Sequence, residues 1–192
     1  MRNIVFDIET RNDPADVGFE FDPAKLDLSM VCIYDSETDS YSSFLEEELS
    51  RLWPIIERAD MLIGYNSDHF DIPILNRYYP GNLSHIKSLD LLKEVKNALG
   101  RRLRLDSLAE ATLGKKKLGS GLQAVRWWKE GEIEKIRAYC LEDVKITKEL
   151  YDYALAHKSL KYKDLGEVRD IKLDVSLWEK PEPSSMTHSL PF

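Results

Sequence analysis

Apolar residues along the chain follow two periods, a period of two over short stretches and a period of three to four over longer ones. The alternation is clearest near the N-terminus, where Ile4, Phe6 and Ile8 occupy one set of positions and Asp7 and Glu9 belong to the other. Alternation and short apolar runs predict strands over residues 3–10, 30–34, 41–44, 61–65 and 86–89.

The helical period predicts helices over residues 46–58, from about 71, and over 90–99, 105–113 and 132–157. In the last of these, Tyr139 and Asp143 lie on the same stripe as the apolar residues Ile136 and Leu150. After this helix, residues 160–163 and 168–175 alternate around a turn at 164–167, which predicts a terminal β-hairpin.

Three early strands followed by strands that alternate with helices predict an α/β fold with a mixed five-stranded sheet, three strands antiparallel and then parallel strands, flanked by helices. We predict a main domain over residues 1–157, a C-terminal β-hairpin over 158–178 and an irregular, proline-containing tail over 179–192.

Composition narrows the class of protein. The 192 residues are 43% hydrophobic and 32% charged, which suits one domain with a sizeable core. No apolar run approaches the roughly 18 residues of a membrane helix, and no signal-peptide pattern opens the chain. Two cysteines far apart in the sequence favour a reducing cytoplasm.

A net charge of −7 argues against a purely electrostatic nucleic-acid binder, but it is compatible with an enzyme that holds phosphates through metal ions.

Acidic residues occur where solvated acids are not expected. Asp7 and Glu9 are two positions apart on a strand and therefore share a face, where a divalent cation would relieve their repulsion. Alternatively, that face is solvent-exposed. Asp143 is on the buried helical stripe, either as a metal ligand or as a carboxylate satisfied by a core hydrogen bond or an arginine. Asp71 follows a buried strand and precedes a helix, so it is a site residue unless Asp71 or Asp68 merely caps that helix.

Three motifs together resemble the DEDD (DnaQ-like) superfamily of 3′–5′ exonucleases, which has a ribonuclease H-like fold. The D-x-E motif matches Asp7 and Glu9, N-x-x-x-F-D matches residues 66–71, and Y-x-x-x-D matches Tyr139 and Asp143. The histidine branch has its histidine at the position of Ala138, so the sequence resembles the tyrosine (DEDDy) branch. Residues 106–109 and 113–114 are similar to those of family B DNA polymerase proofreading domains.

The resemblance implies an enzyme that releases nucleoside 5′-monophosphates from single-stranded 3′ ends, of DNA rather than RNA, in DNA repair or proofreading. It implies two divalent cations, Mg²⁺ or Mn²⁺, held by Asp7, Glu9, Asp71 and Asp143. Asp7 would bridge both ions, and Tyr139 would orient the attacking water and assist its deprotonation. These five residues are the predicted catalytic set.

Substrate contacts are predicted at Thr10, Asn66, Phe70, Arg104 and Lys115. Arg104 and Lys115 belong to a basic stretch between Lys96 and Lys117, which is equally typical of a solvated surface. The tryptophans at 127 and 128 either stack bases or, as we favour, pack in the core.

Two other functions are compatible with the motifs: an exoribonuclease of the same fold, and a catalytically silent module that binds nucleic acid or a partner. The C-terminal Ser189–Phe192 resembles peptides that dock on the bacterial sliding clamp, although Thr187 replaces the usual glutamine; an irregular tail is the alternative.

Overall fold

A mixed five-stranded sheet is the centre of the protein in the computed structural model, which describes residues 1–13, 22–115 and 121–180. Its strands are β1 (Asn3–Thr10), β2 (Leu28–Asp35), β3 (Ser40–Leu45), β4 (Met61–Gly64) and β5 (Lys87–Asp90). Their order is β3-β2-β1-β4-β5. The pairs β1–β2 and β2–β3 are antiparallel, whereas β1–β4 and β4–β5 are parallel. The predicted sheet is therefore confirmed, and β1 is its central strand.

Six α-helices accompany the sheet within the described residues. They are α1 (Leu49–Ile56), α2 (Asp71–Leu75), α3 (Leu91–Leu99), α4 (Leu105–Leu113), α5 (Gly121–Glu130) and α6 (Ile133–His157). The helix predicted over 46–58 is instead a 3-10 turn at Glu46–Glu48 followed by α1, which contains Pro54. Helix α5 was not predicted, because Gly119 and Gly121 interrupt the helical pattern before it.

The two faces of the sheet cover separate hydrophobic clusters. Ile4, Phe6 and Ile8 of β1 pack in a cluster with residues of α1 and α2. Val5, on the opposite face, packs in the other cluster with residues of α3, α4 and α6. Because side chains alternate along a strand, Asp7 and Glu9 extend the row of Val5 and face α6.

The predicted C-terminal hairpin is confirmed as β6 (Ser159–Asp164) and β7 (Glu167–Lys172). Strand β7 ends at Lys172, three residues earlier than predicted. Both residues of the connecting turn have positive φ, 49° at Leu165 and 87° at Gly166, as a type I′ hairpin turn requires. Leu160 and Ile171 bury the inner face of the hairpin in the cluster that α6 covers.

The segment after the hairpin is fixed against the body of the protein by Trp178. This side chain is 3% exposed, stacks on Tyr151 with ring centroids 5.8 Å apart, and donates from Nε1 to Glu94 at 3.3 Å. Lys87 Nζ donates to the carbonyls of Leu177 and Trp178, both at 2.8 Å. The segment thus covers the edge strand β5.

Other predictions about chain organisation are left open. The division of the chain at residues 157 and 178 stays a prediction. Most of the predicted tail, including Ser189–Phe192, lies outside the described residues, as do Lys116 and Lys117. Within the described ranges, none of the helices is both long enough and apolar enough to cross a membrane.

Trp178→Ala is expected to lower the free energy of unfolding by about 3 kcal/mol, because it leaves a cavity under the C-terminal segment and removes an aromatic stack. Urea unfolding measures this change. Leu177→Ala is the matched control, since Leu177 is 64% exposed and its loss should have little effect. Equal effects of the two substitutions would contradict the packing role of Trp178.

Candidate active site

Two acids of the central strand meet helix α6 at one end of the sheet. Glu9 is 6% exposed and Asp7 is half-buried. One ligand atom each from Asp7, Glu9 and Cys140 lie within 4.8 Å of one another. The Cys140 thiol donates to the backbone carbonyl of Asp7 at 3.5 Å, so it fixes α6 against β1. The solvent-exposed alternative for this face of β1 is therefore wrong.

Helix α6 contributes a tyrosine and an aspartate that are one turn apart. Tyr139 is 4% exposed and Asp143 is 5% exposed. The two side chains are hydrogen-bonded, and burial together with the charges of Asp143, Glu9 and Asp7 raises the pKa of the Tyr139 phenol well above its ordinary value. The phenol is therefore a proton-carrying donor at neutral pH. The ring of Trp127 packs edge-on against Tyr139, with centroids 6.0 Å apart.

The loop between β4 and α2 turns back sharply toward the sheet. At Gly64 a Cβ atom would lie 2.4 Å from the Cβ of Ser67, so only glycine fits there. Asn66 has a φ of 67°, in the left-handed region that asparagine tolerates best after glycine. Asp90, at the end of β5, accepts the backbone N–H of Asn66 at 2.7 Å and that of Leu92 at 2.9 Å. Asp90 thus connects the loop to the start of α3.

Asp71 reaches the acids of β1 through a backbone hydrogen bond. Strand β4 pairs with β1 only as far as Val5, so the edge of β1 beyond that residue is open to another acceptor. Asp71 Oδ1 accepts the N–H of Ile8 at 3.1 Å. Phe70 is the N-cap of α2 and makes no side-chain capping bond. Asp68 instead accepts from Ser88 and Lys93. Neither aspartate therefore occupies the N-cap position of α2.

Burial and like charges act on Asp71. Its side chain is 4% exposed. Burial is the main cause that raises the pKa of Asp71 to about 7, and the nearby charges of Asp90 and Asp143 add to the rise. The hydrogen bond from the Ile8 N–H opposes it. Asp143 thus interacts electrostatically with Asp71 on one side and with Tyr139 on the other. The structure thus brings the four predicted acids close enough to interact with one another and with Tyr139. We call Asp7, Glu9, Asp71 and Asp143 the acid group.

This donor set fits divalent cations. The four acids supply only oxygen ligands, which hard cations such as Mg²⁺ and Mn²⁺ prefer. Burial first and the nearby charges of Asp90 and Asp143 second raise the pKa of Asp71, and a bound cation would offset both by stabilising the carboxylate form. The Cys140 thiol is close to the acids, but it is engaged with a backbone carbonyl.

The five residues predicted to contact the substrate lie in different environments. Thr10 is buried and donates to the carbonyl of Asn12 at 3.0 Å, and Phe70 packs against the cluster that contains Ile8. Asn66 Oδ1 accepts from Arg102 at 2.5 Å. Arg104 and Lys115 form ion pairs with acids other than the four of the site, Asp106 at 3.2 Å and Glu149 at 2.7 Å. Their roles in substrate binding stay predictions.

Three residues near the site were not predicted to belong to it. In the sequence, Asp90 stands between a predicted strand and a predicted helix, and an aspartate at such a position indicates a buried helix-capping residue. Cys140 follows Tyr139 on the apolar stripe, and only the packing of α6 on β1 reveals its contact with Asp7. Trp127 was expected in the core, and it does pack there, against Tyr139.

Comparisons with known proteins give a family and a fold. A family model described as RNase_H superfamily matches residues 4–155. No curated protein matches the sequence significantly. The fold is similar to a family B DNA polymerase from the hyperthermophilic archaeon Pyrobaculum calidifontis, with a TM-score of 0.61 and 21% identity over 80% of this chain and 24% of the polymerase. It is also similar to the zinc-bound complex of Escherichia coli ExoI with single-stranded DNA, with a TM-score of 0.56 and 12% identity over 82% of this chain and 41% of ExoI. The chain therefore spans well under half of either protein.

The titration of Asp71 should make the metal-free protein less stable as pH rises. Its pKa in the folded state, about 7, is higher than the ordinary value of 3.8, so folding favours the protonated form. The resulting stability is fully present below about pH 4 and is lost as pH rises through about 7. We expect the free energy of unfolding in EDTA to fall over this range in the parent protein, and to fall less in Asp71→Asn. Urea unfolding at several pH values measures this.

Asp170→Asn is the control, because Asp170 is exposed on β7 and lies outside the acid group. Added Mg²⁺ should raise the unfolding midpoint more at pH 8 than at pH 5, since cation and proton compete for the same carboxylates. Identical pH profiles for the parent and Asp71→Asn would show that Asp71 does not carry this effect.

Proposed function

The chain belongs to the RNase H superfamily, and from this membership and the acid group we propose that it is a metal-dependent 3′–5′ exonuclease. The proposed reaction releases nucleoside 5′-monophosphates from single-stranded 3′ ends. The observation that carries the proposal is the convergence of four carboxylates from β1, α2 and α6 beside a buried tyrosine. Such a group is costly to bury unless it binds cations.

The structural neighbours support nucleic acid as the substrate. ExoI was determined in complex with single-stranded DNA, and the other neighbour is a DNA polymerase. We infer from them a preference for DNA over RNA and a role in DNA repair or proofreading. The motif of Tyr139 and Asp143 supports assignment to the DEDDy branch.

In the proposed mechanism, Asp7, Glu9, Asp71 and Asp143 hold two Mg²⁺ or Mn²⁺ ions. Two bound ions would supply charge stabilisation for the attacking and leaving oxygens of the phosphodiester. The resemblance to the DEDD superfamily implies that Asp7 would serve both ions, that Glu9 and Asp143 would complete the ion that activates water, and that Asp71 would hold the second ion. The hydrogen bond from Ile8 holds Asp71 in position for this role.

Tyr139 would orient the attacking water. In the metal-free protein, burial and the neighbouring carboxylates raise the pKa of the phenol, so it keeps its proton and is a hydrogen-bond donor. Trp127 and Asp143 restrict the ring and the hydroxyl, respectively. Deprotonation of the water would then depend on the carboxylates and their bound cations, with Tyr139 assisting by position.

Asp7→Asn and Asp143→Asn are each expected to reduce degradation of a 3′-labelled single strand by about 1,000-fold or more, because loss of a charged ligand removes several kcal/mol of transition-state stabilisation. Gel analysis of the labelled strand measures this, with EDTA treatment followed by separate addition of Mg²⁺ and Mn²⁺. Asp170→Asn serves as the matched surface control. Activity in Asp143→Asn equal to the parent would refute the assignment of Asp143.

The choice of labelled substrate separates the other functions that the motifs allow. Preferred degradation of a matched RNA strand would identify an exoribonuclease. Binding of either strand without any cation-dependent cleavage would identify a silent binding module. A 5′ label, compared with a 3′ label, establishes the direction of degradation.

Tyr139→Phe is expected to lower kcat by about 10- to 100-fold, less than the loss of an acid, because it removes one orienting hydrogen bond and keeps the packing of the ring. Single-turnover rates of the same labelled strand measure this change. An effect as large as that of Asp143→Asn would indicate that the phenol carries out the proton transfer itself.

Docking of Ser189–Phe192 on a sliding clamp and a cytoplasmic location also stay proposals. Deletion of residues 190–192 should abolish co-elution with a clamp if the peptide docks there, and unchanged co-elution would end this proposal.

A further inference from the structure

A basic pocket lies beside the acid group, at the ends of β4 and β5. Its volume is about 310 Å³, and its polar and charged lining includes Asn66, His69, Asp90, Lys93, Lys96 and Arg102. No Phe, Tyr or Trp is among the described residues that line it. The pocket therefore offers charge and hydrogen bonds, and it lacks the flat aromatic surfaces on which bases stack.

The acids of this pocket are already engaged by groups of the protein. Asp90 accepts backbone N–H bonds from Asn66 at 2.7 Å and from Leu92 at 2.9 Å. Asp68, which also lines the pocket, forms an ion pair with Lys93 at 2.9 Å and accepts from Ser88 at 2.6 Å. The negative charge of the pocket is thus largely compensated from within.

Two cations of the pocket are not compensated in this way. Within the ranges that the structure describes, neither Lys96 nor Arg102 forms an ion pair, and both side chains are exposed. Arg102 donates to the neutral amide of Asn66 at 2.5 Å, which holds the guanidinium at the rim of the pocket. The remaining guanidinium donors and the Lys96 ammonium are available to an anion.

The pocket is directly connected to the acid group. Asn66 belongs to the loop that leads into α2 and hence to Asp71. Asp90 lines the pocket and is also close enough to Asp71 for its charge to act on that carboxyl. A strand whose 3′ end lies at the acids therefore has a short path to the pocket.

We propose that this pocket binds a phosphodiester group of the single-stranded substrate, away from the bond that is cleaved, through Lys96 and Arg102. The proposal rests on the proposed exonuclease function and adds a second anchor for the strand. Two uncompensated cations and an amide match the charge and the acceptor oxygens of a phosphodiester. Binding here would favour strands long enough to reach both the acids and the pocket.

The first test measures binding without cleavage. The fluorescence anisotropy of a labelled 20-nucleotide oligothymidylate is titrated in EDTA at several salt concentrations, for the parent and for Lys96→Gln, Arg102→Gln and the double variant. Each phosphate contact contributes about 0.7 to the slope of log K against log salt for single strands, so each substitution should reduce the slope by about that amount. The double variant should lose about twice as much.

Two controls define the outcome of this test. Lys172→Gln removes an exposed lysine from β7, outside the pocket, and should keep the slope of the parent. Lys96→Arg keeps the charge and should restore most of the binding. A double variant with the slope of the parent would overturn the proposal.

The second test separates this proposal from the exonuclease function. KM is measured with Mn²⁺ for the 20-nucleotide strand and for the p-nitrophenyl ester of thymidine 5′-monophosphate, which has no second phosphodiester. The ratio of the two KM values, strand to ester, should rise at least about threefold in Lys96→Gln and stay unchanged in Lys172→Gln. An unchanged ratio in Lys96→Gln would overturn the proposal.

Two further results are informative. Hydrolysis of neither substrate by the parent would refute the exonuclease function, while the anisotropy titration would still report on the pocket. Inhibition of ester hydrolysis by inorganic phosphate that disappears in Lys96→Gln would identify a site for free phosphate and would overturn the phosphodiester proposal.

Discussion

Repulsion among buried carboxylates is the interaction that the surrounding structure has to oppose. Asp7 and Glu9 are fixed by the central strand, which pairs with β2 on one side and β4 on the other. Asp71 is held by the N–H of Ile8, and Asp143 is hydrogen-bonded to Tyr139 on a 25-residue helix. These constraints come from backbone pairing and helix packing, which position the acids without any bound ion. Charged groups held in fixed positions are the condition for electrostatic catalysis, which the proposed function requires.

Asp90 has a different role from the four acids of the site, because its hydrogen bonds organise the loop between β4 and α2. Its carboxylate accepts N–H groups from the loop and from the first turn of α3. The same contacts fix Asn66, and through Asn66 they fix Arg102. The acid group and the basic pocket therefore share one support, and a change at Asp90 would disturb both.

Local periodicity was sufficient to predict the sheet and the positions of three of the acids, Asp7, Glu9 and Asp143. The alternation of β1 puts Asp7 and Glu9 on one face, and the helical period puts Asp143 below Tyr139. The contact of Asp71 with Ile8 was not predictable, since it depends on where β4 stops pairing with β1. Basic residues of one stretch have different surroundings in the fold: Arg102 lines the pocket, whereas Lys115 is bound to Glu149 on α6. The positions of Arg102 and Lys115 in the sequence do not reveal this difference in their surroundings.

Because side chains alternate along β1, the residues of the proposed site and those of the hydrophobic core lie on opposite faces of the same strand. Even-numbered residues from Ile4 to Ile8 build the core beneath α1 and α2, and the odd-numbered Asp7 and Glu9 face α6. A substitution at an odd position beyond Val5 changes the charged face and leaves the opposite core intact. Under the proposed function, single changes at these positions would therefore remove turnover and preserve the architecture, so a binding scaffold without turnover would be one substitution away.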